Sequence, residues 1–105
     1  MSEVTLGGYI ALHDRAPAFT GLDGRAYSVA LMVEGDPDER GRHPGALLFI
    51  RWGHDGASPD GHYETDWLVH GDSADAARSR LGALSLYDVK AMLDELIATG
   101  RPEEF

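Results

Sequence analysis

The sequence predicts an α+β fold, an antiparallel β-meander of about four strands with one or two C-terminal helices packed on one face. Two observations carry this. Up to Gly71 the chain runs as short apolar or alternating segments separated by Gly, Pro and Asp, the pattern of strands joined by turns. Beyond Gly71 the apolar period changes from two residues to about 3.6, the period of a helix. A run of strands followed by a run of helices is the α+β arrangement. With 105 residues, 1–105 read as a single domain able to hold its own core.

Leu6 to Asp14 (LGGYIALHD) is short and mostly apolar and reads as a first strand, loosened by Gly7 and Gly8. Pro17 restricts the chain around it to a sheet edge or a bulge. Phe19 to Leu22 leads into Asp23-Gly24, one of the strongest two-residue hairpin signals. Arg25 to Val33 follows as a strand. It has Tyr27, Val29, Leu31 and Val33 on one face, and the small set Ala26, Ser28 and Ala30 with Met32 on the other. That second face can let another element approach closely, or serve as a shallow floor. Glu34 to Pro44 (EGDPDERGRHP) is a polar surface connector.

Ala46 to Trp52 is apolar on both faces apart from Arg51, as in an interior strand. Gly53 to Gly61 reads as a nine-residue hairpin loop. His62 to His70 alternates. Tyr63, Thr65, Trp67 and Val69 point one way, and His62, Glu64, Asp66, Leu68 and His70 the other. A one-residue slip exchanges faces, so apolar should meet apolar. The expected register places Trp52 opposite Tyr63, Ile50 opposite Thr65, Leu48 opposite Trp67 and Arg51 opposite Glu64. Trp52, Tyr63 and Trp67 then form the core face beneath the helices, or, if the helices cover the other face, an exposed aromatic patch suited to a partner or ligand. Trp52 and Tyr63 on opposite faces would refute it. The other face, with Leu47, Phe49 and Leu68 among polar groups, is a surface through which two copies could dimerise.

Asp72 or Ser73 caps a short helix carrying Ala74, Ala77, Leu81 and Leu84 at helical spacing, and Gly82 interrupts it. Ser85 and Asp88 resemble a capping box opening a last helix. Leu86, Val89, Met92, Leu93, Leu96 and Ile97 form its wide apolar stripe, and Gly100 with Pro102 ends it. Arg101 to Phe105 is expected to fray.

The composition, 43% hydrophobic and 26% charged, is that of a globular protein rather than a disordered chain. No apolar run approaches the ~20 residues that span a bilayer, and Met1 to Ala11 lacks a basic region followed by an apolar one. A cytoplasmic protein with no membrane association is the expectation. The absence of Cys excludes disulfides, thiolate catalysis and sulfur-ligated zinc. A net charge of −9, with Lys90 the single lysine and the arginines scattered, argues against nucleic acid as a partner.

The residues that could carry chemistry are His62, Glu64 and Asp66, with Arg51 opposite them. Imidazole and carboxylates alternating on a strand lie about 6.6 Å apart, so two neighbours can converge on one ion. His70, roughly 26 Å from His62 along an extended strand, cannot share it. The loop residues His54, Asp55 and Asp60 are the nearest further ligands, yet their spacing fails the calcium-loop pattern. No nucleophile elbow, phosphate-cradling loop or dinucleotide fingerprint is present. His13-Asp14 and His43 stand isolated.

No cofactor is implied. The reading that follows is a non-catalytic binding module whose partner is another protein or a second copy, with Arg51, His62, Glu64 and Asp66 as its candidate surface. The alternative is a small metal-binding protein or enzyme built on His62, Glu64 and Asp66. Charge alone supports a third class, an acidic inhibitor-type protein that occupies a basic site.

Overall fold

The computed structural model describes residues 4–100 and 102. The elements in chain order are α1 (Leu6–His13), β1 (Ala18–Thr20), β2 (Ala26–Val33), β3 (His43–Trp52), β4 (Pro59–Glu64), β5 (Val69–Gly71), α2 (Ala74–Gly82) and α3 (Leu86–Thr99). Strands β1 to β4 form the expected antiparallel meander, and β5 adds a fifth by pairing antiparallel with the first residues of β3. The two C-terminal helices and α1 lie against one side of the sheet, so the α+β class holds.

Alternation along the strands decides what is core. Tyr27 and Val29 of β2, Leu47 and Phe49 of β3 and Tyr63 of β4 share one face and are buried. The helices cover them with Leu6, Leu81, Val89 and Leu93, and all nine side chains form one apolar cluster. Each such side chain contributes about 1.5–3 kcal/mol by leaving water. Tyr27 and Tyr63 meet inside it with ring centroids 6.1 Å apart.

The register between β3 and β4 differs from the expected one by three residues. Phe49 pairs with Tyr63, Ile50 with His62, Leu48 with Glu64 and Arg51 with Gly61, and a bulge follows, after which Trp52 pairs with Pro59. An odd shift exchanges faces. Trp52 and Tyr63 therefore lie on opposite faces, which overturns the sequence expectation. The reason is local. The loop is tighter than expected, closed by Gly53 N–H donating to Ser58 C=O at 2.8 Å, so β4 starts at Pro59. The bulge also lets Asp60 receive Arg51, so Arg51 pairs with Asp60 rather than Glu64. Leu47 and Phe49, expected on a dimerisation face, are fully buried beneath the helices instead.

The second difference is α1, expected as a strand. Thr5 Oγ1 accepts from Gly8 N–H at 3.0 Å and caps a helix that ends at Asp14 in the left-handed region, φ 53°. The glycines that loosen a strand reading serve a helix contact here. A Cβ on Gly7 would lie 3.1 Å from the Gly82 Cα, so the α1 and α2 backbones touch. A short bridge from Thr5 to Ser85 ties α1 to the α2–α3 turn, with Leu6 N–H on Leu84 C=O and Leu86 N–H on Val4 C=O.

The helical half follows the sequence. Ser73 Oγ caps α2 through Ala76 N–H and Ser85 Oγ caps α3 through Asp88 N–H. The Gly21–Arg25 turn around Asp23-Gly24, with Gly24 at φ 79°, joins β1 to β2 as read. The Glu34–Pro44 connector is shorter than expected, because β3 already begins at His43. The tail expected to fray lies outside the described residues apart from Pro102. Among the described residues no helix is long and apolar enough to cross a membrane.

Candidate functional site

The structure separates the four candidate residues. Arg51 lies opposite Tyr27 at the end of the helix-covered face. Its Nε donates to Asp60 Oδ1 at 2.7 Å, and Arg25 donates to Asp60 Oδ2 at 2.6 Å and to the Trp52 carbonyl at 2.9 Å. Hydrogen bonds from Arg51 and then Arg25 hold the Asp60 carboxyl below the ordinary aspartate range. Asp23 accepts from the Tyr27 hydroxyl at 2.8 Å close by. Burial first, then Asp23, pushes the Tyr27 phenol well above the usual tyrosine range. Two arginines and two carboxylates balance one another in this network. Its work is structural: it fastens the β3–β4 bulge to β2.

His62 and Glu64 lie on the other face, across from Ile50 and Leu48. His62 Nε2 is 3.6 Å from Glu64 Oε1, beyond hydrogen-bond length. Asp66 lies past the end of β4, because the expected strand His62–His70 breaks. Thr65 N–H still donates to Leu47 C=O, but the Thr65 hydroxyl takes the Leu47 N–H at 3.0 Å and donates to Asp66 C=O at 2.8 Å. A side chain has replaced a ladder partner, and the backbone leaves the sheet until Leu68 N–H returns to Gly45 C=O at 2.8 Å. This excursion thrusts out Asp66 and Trp67, and Trp67, expected in the core, is 53% exposed.

The face that bears His62 and Glu64 carries no helix. Its floor is Ser28, Ala30 and Met32 of β2, with Ala46, Leu48, Ile50 and Trp52 of β3 beside them. Trp52 donates its indole N–H to Ser28 Oγ at 2.8 Å. At the end nearest the excursion, Met32, Ala46, Glu64, Thr65, Asp66 and Trp67 enclose an open cleft of about 580 Å³. Glu64 and Asp66 thus share one cleft, whereas Arg51 is on the far side of the sheet. Sequence reasoning did not find Met32 as a cleft residue, and it had Trp67 exposed only as the alternative to a core position. The small-residue face of β2 was the available signal for the floor, and nothing in the alternation marked Thr65 as the point of departure.

The remaining titratable candidates do not assemble. His54 and Asp55 border a smaller cleft of about 280 Å³ at the hairpin end, where Asp55 Oδ1 is occupied by Ala57 N–H. His13 stacks on Tyr9 at 4.2 Å, and His43 Nδ1 meets the Glu34 carbonyl at 3.0 Å. Among the described residues, no three His, Asp or Glu side chains are arranged to hold a metal ion. Arg42 and Arg80 both donate to the His70 carbonyl, which places their charge at the β5–α2 end.

The fold and the site together define an α+β domain with one helix-covered and one uncovered sheet face, the latter ending in an acidic, tryptophan-lined cleft. No protein-family model, curated protein or solved structure matches this chain.

Proposed function

We propose that this domain is a non-catalytic protein-binding module that works through the uncovered face of its sheet. One observation carries the reading. Helices bury Tyr27, Val29, Leu47, Phe49 and Tyr63 on one side, while Met32, Leu48, Ile50 and Trp52 on the other are only partly buried and lie outside the helix-covered cluster. A wide apolar floor with an exposed tryptophan at its end is the composition of a binding surface, since aromatic and Met side chains supply contact area at small entropic cost. Trp52, held by Ser28, and Trp67, held out by the Thr65 excursion, are the two anchors.

The partner on this reading is another protein rather than a second copy. Two copies of a chain with net charge −9, meeting through this face, would bring Glu64 and Asp66 near their own counterparts or near other acids. A partner of opposite charge meets no such penalty.

The test is selection of displayed random peptides on the wild-type domain, followed by binding to two folded variants. Ile50→Asp puts a charge in the middle of the uncovered face. Tyr87→Asp changes α3 at a side chain 78% exposed on the helical layer. Selected peptides should lose at least about tenfold in affinity for Ile50→Asp and bind Tyr87→Asp as they bind wild type. Peptides insensitive to Ile50→Asp, in a variant whose circular dichroism is native, would remove this reading.

A further inference from the structure

We infer that the cleft between the uncovered sheet face and the Thr65–Leu68 segment receives a cationic side chain, arginine or lysine, presented by the partner polypeptide. This rests on the protein-binding role proposed above and specifies which part of the partner the cleft holds.

Three features meet in one place. Trp67, about half exposed, lines the cleft wall, and an indole face is the best aromatic partner for a cation. Met32 and Ala46 supply an apolar floor that suits the aliphatic stem of a long basic side chain. Glu64 and Asp66 line the same cleft and place two carboxylates where the charged head would come to rest.

Among the described residues no Lys or Arg forms an ion pair with Glu64 or Asp66, and His62 Nε2 lies 3.6 Å from Glu64 Oε1. Five basic side chains of the described residues are engaged elsewhere. Arg25 and Arg51 bind Asp60 across the sheet, Arg42 and Arg80 serve the His70 carbonyl, and Lys90 pairs with Asp94 on α3. The strand positions that face the uncovered side, from Ala26 to Met32 and from Ala46 to Trp52 in alternation, include no Lys or Arg. Potential around the cleft is therefore negative over an apolar floor, and complementarity selects a partner that is basic at that point.

The cleft between α1 and α2 is of similar size, about 590 Å³, but carries both Asp75 and Arg78. With one charge of each sign it does not discriminate in this way.

The experiment is a titration of the ¹⁵N-labelled domain with N-acetyl-arginine methylamide, the lysine counterpart and the neutral citrulline counterpart, followed by NMR. The Trp67 indole N–H and the backbone amides from Glu64 to Leu68 should shift saturably with the arginine or the lysine compound, and not with citrulline. Whichever cation gives the larger shift identifies the preferred head group. Trp67→Ala should weaken that binding about fivefold or more. Glu64→Gln combined with Asp66→Asn should weaken it at least as much, and added salt should weaken the wild type in the same direction. An equal response to citrulline, no saturable shift at these positions, or shifts confined to the α1–α2 cleft would overturn the inference. Display-selected peptides that need Ile50 but carry no basic residue against Trp67 would overturn it too, while leaving the broader binding role in place. Failure of that broader role appears separately, as selected peptides indifferent to Ile50→Asp.

Discussion

Leu47 and Leu48 are neighbours in β3 that the structure assigns to opposite worlds, and truncating each in turn tests the register directly. Leu47 is fully buried, paired across from Leu31 and enclosed by the helix-side cluster. Leu47→Ala removes about three carbons from a site that can collapse little, so transfer and cavity costs add to about 2–5 kcal/mol. Leu48 is only partly buried, between Ala30 on one side and Glu64 on the other, on a face with no element above it. Its truncation leaves no closed cavity, and part of the side chain already touches water, so the cost is about 1 kcal/mol. For a domain near this size 1 kcal/mol moves the melting temperature by about 4–8 °C. The two alanine variants should therefore differ by something on the order of 10–20 °C, with Leu47→Ala the lower, in thermal melts followed by circular dichroism. The register expected from the sequence places Leu48 under the helices and gives the reverse order. Equal losses, or a larger loss for Leu48→Ala, would refute the assignment of faces.

Other consequences can be checked in the same way. Gly71→Ala should destabilise by about 1–3 kcal/mol or more, because the new Cβ would lie 2.4 Å from Ala77 N and must push the α2 backbone off β5. Asp60 has its carboxyl held below the ordinary range, so its contribution is present above about pH 4, the unfolded aspartate value, and is lost as pH falls through the lower folded value. Asp60→Asn should accordingly flatten the acid limb of a stability-against-pH profile and leave the variant less stable at neutral pH. Tyr27 and Tyr63 are both raised, chiefly by burial, so ultraviolet titration should show these two phenols ionising above the usual tyrosine range, Tyr27 well above it. The stabilisation from their protonated forms is complete below about pH 10 and disappears as pH rises toward the folded values. Light scattering at high concentration should give a monomer, since like charge opposes self-association through the uncovered face. A stable dimer abolished by Ile50→Asp would show that the partner is a second copy.

Where periodicity is long and uninterrupted, the fold was legible. The six-residue apolar stripe of α3, the Ser73 and Ser85 caps, the Asp23-Gly24 turn and the face assignment of β2 all follow from spacing and side-chain chemistry alone. α1 escaped because its apolar residues have no sided pattern, and Gly7 has a partner, Gly82, far along the chain. The β3–β4 register escaped for a different reason. Apolar matching treats Trp52, Ile50 and Leu48 as core because they are large, yet Phe49, Leu47 and Tyr63 satisfy the helices equally well. The deciding facts were a short loop closure at Gly53 and Ser58 and the capture of Asp60 by two arginines, Arg51 of β3 and Arg25 just before β2. The shift divides the four candidate residues between the two faces of the sheet. Glu64 and Asp66 stayed together and His62 stayed beside Glu64, whereas Arg51 moved to the far side of the sheet. Trp67 entered because a threonine hydroxyl replaced a carbonyl in the ladder, a substitution that leaves no mark in hydrophobic alternation.

The most direct measurement is the NMR footprint of a display-selected peptide on the labelled domain. Largest shifts at Met32, Leu48, Ile50, the Trp52 indole and Thr65 to Trp67, with the α3 surface around Tyr87 unmoved, are the predicted result. A footprint on the helical layer, or on the α1–α2 cleft, with the uncovered sheet face unchanged, would contradict the claim that this domain binds through its sheet.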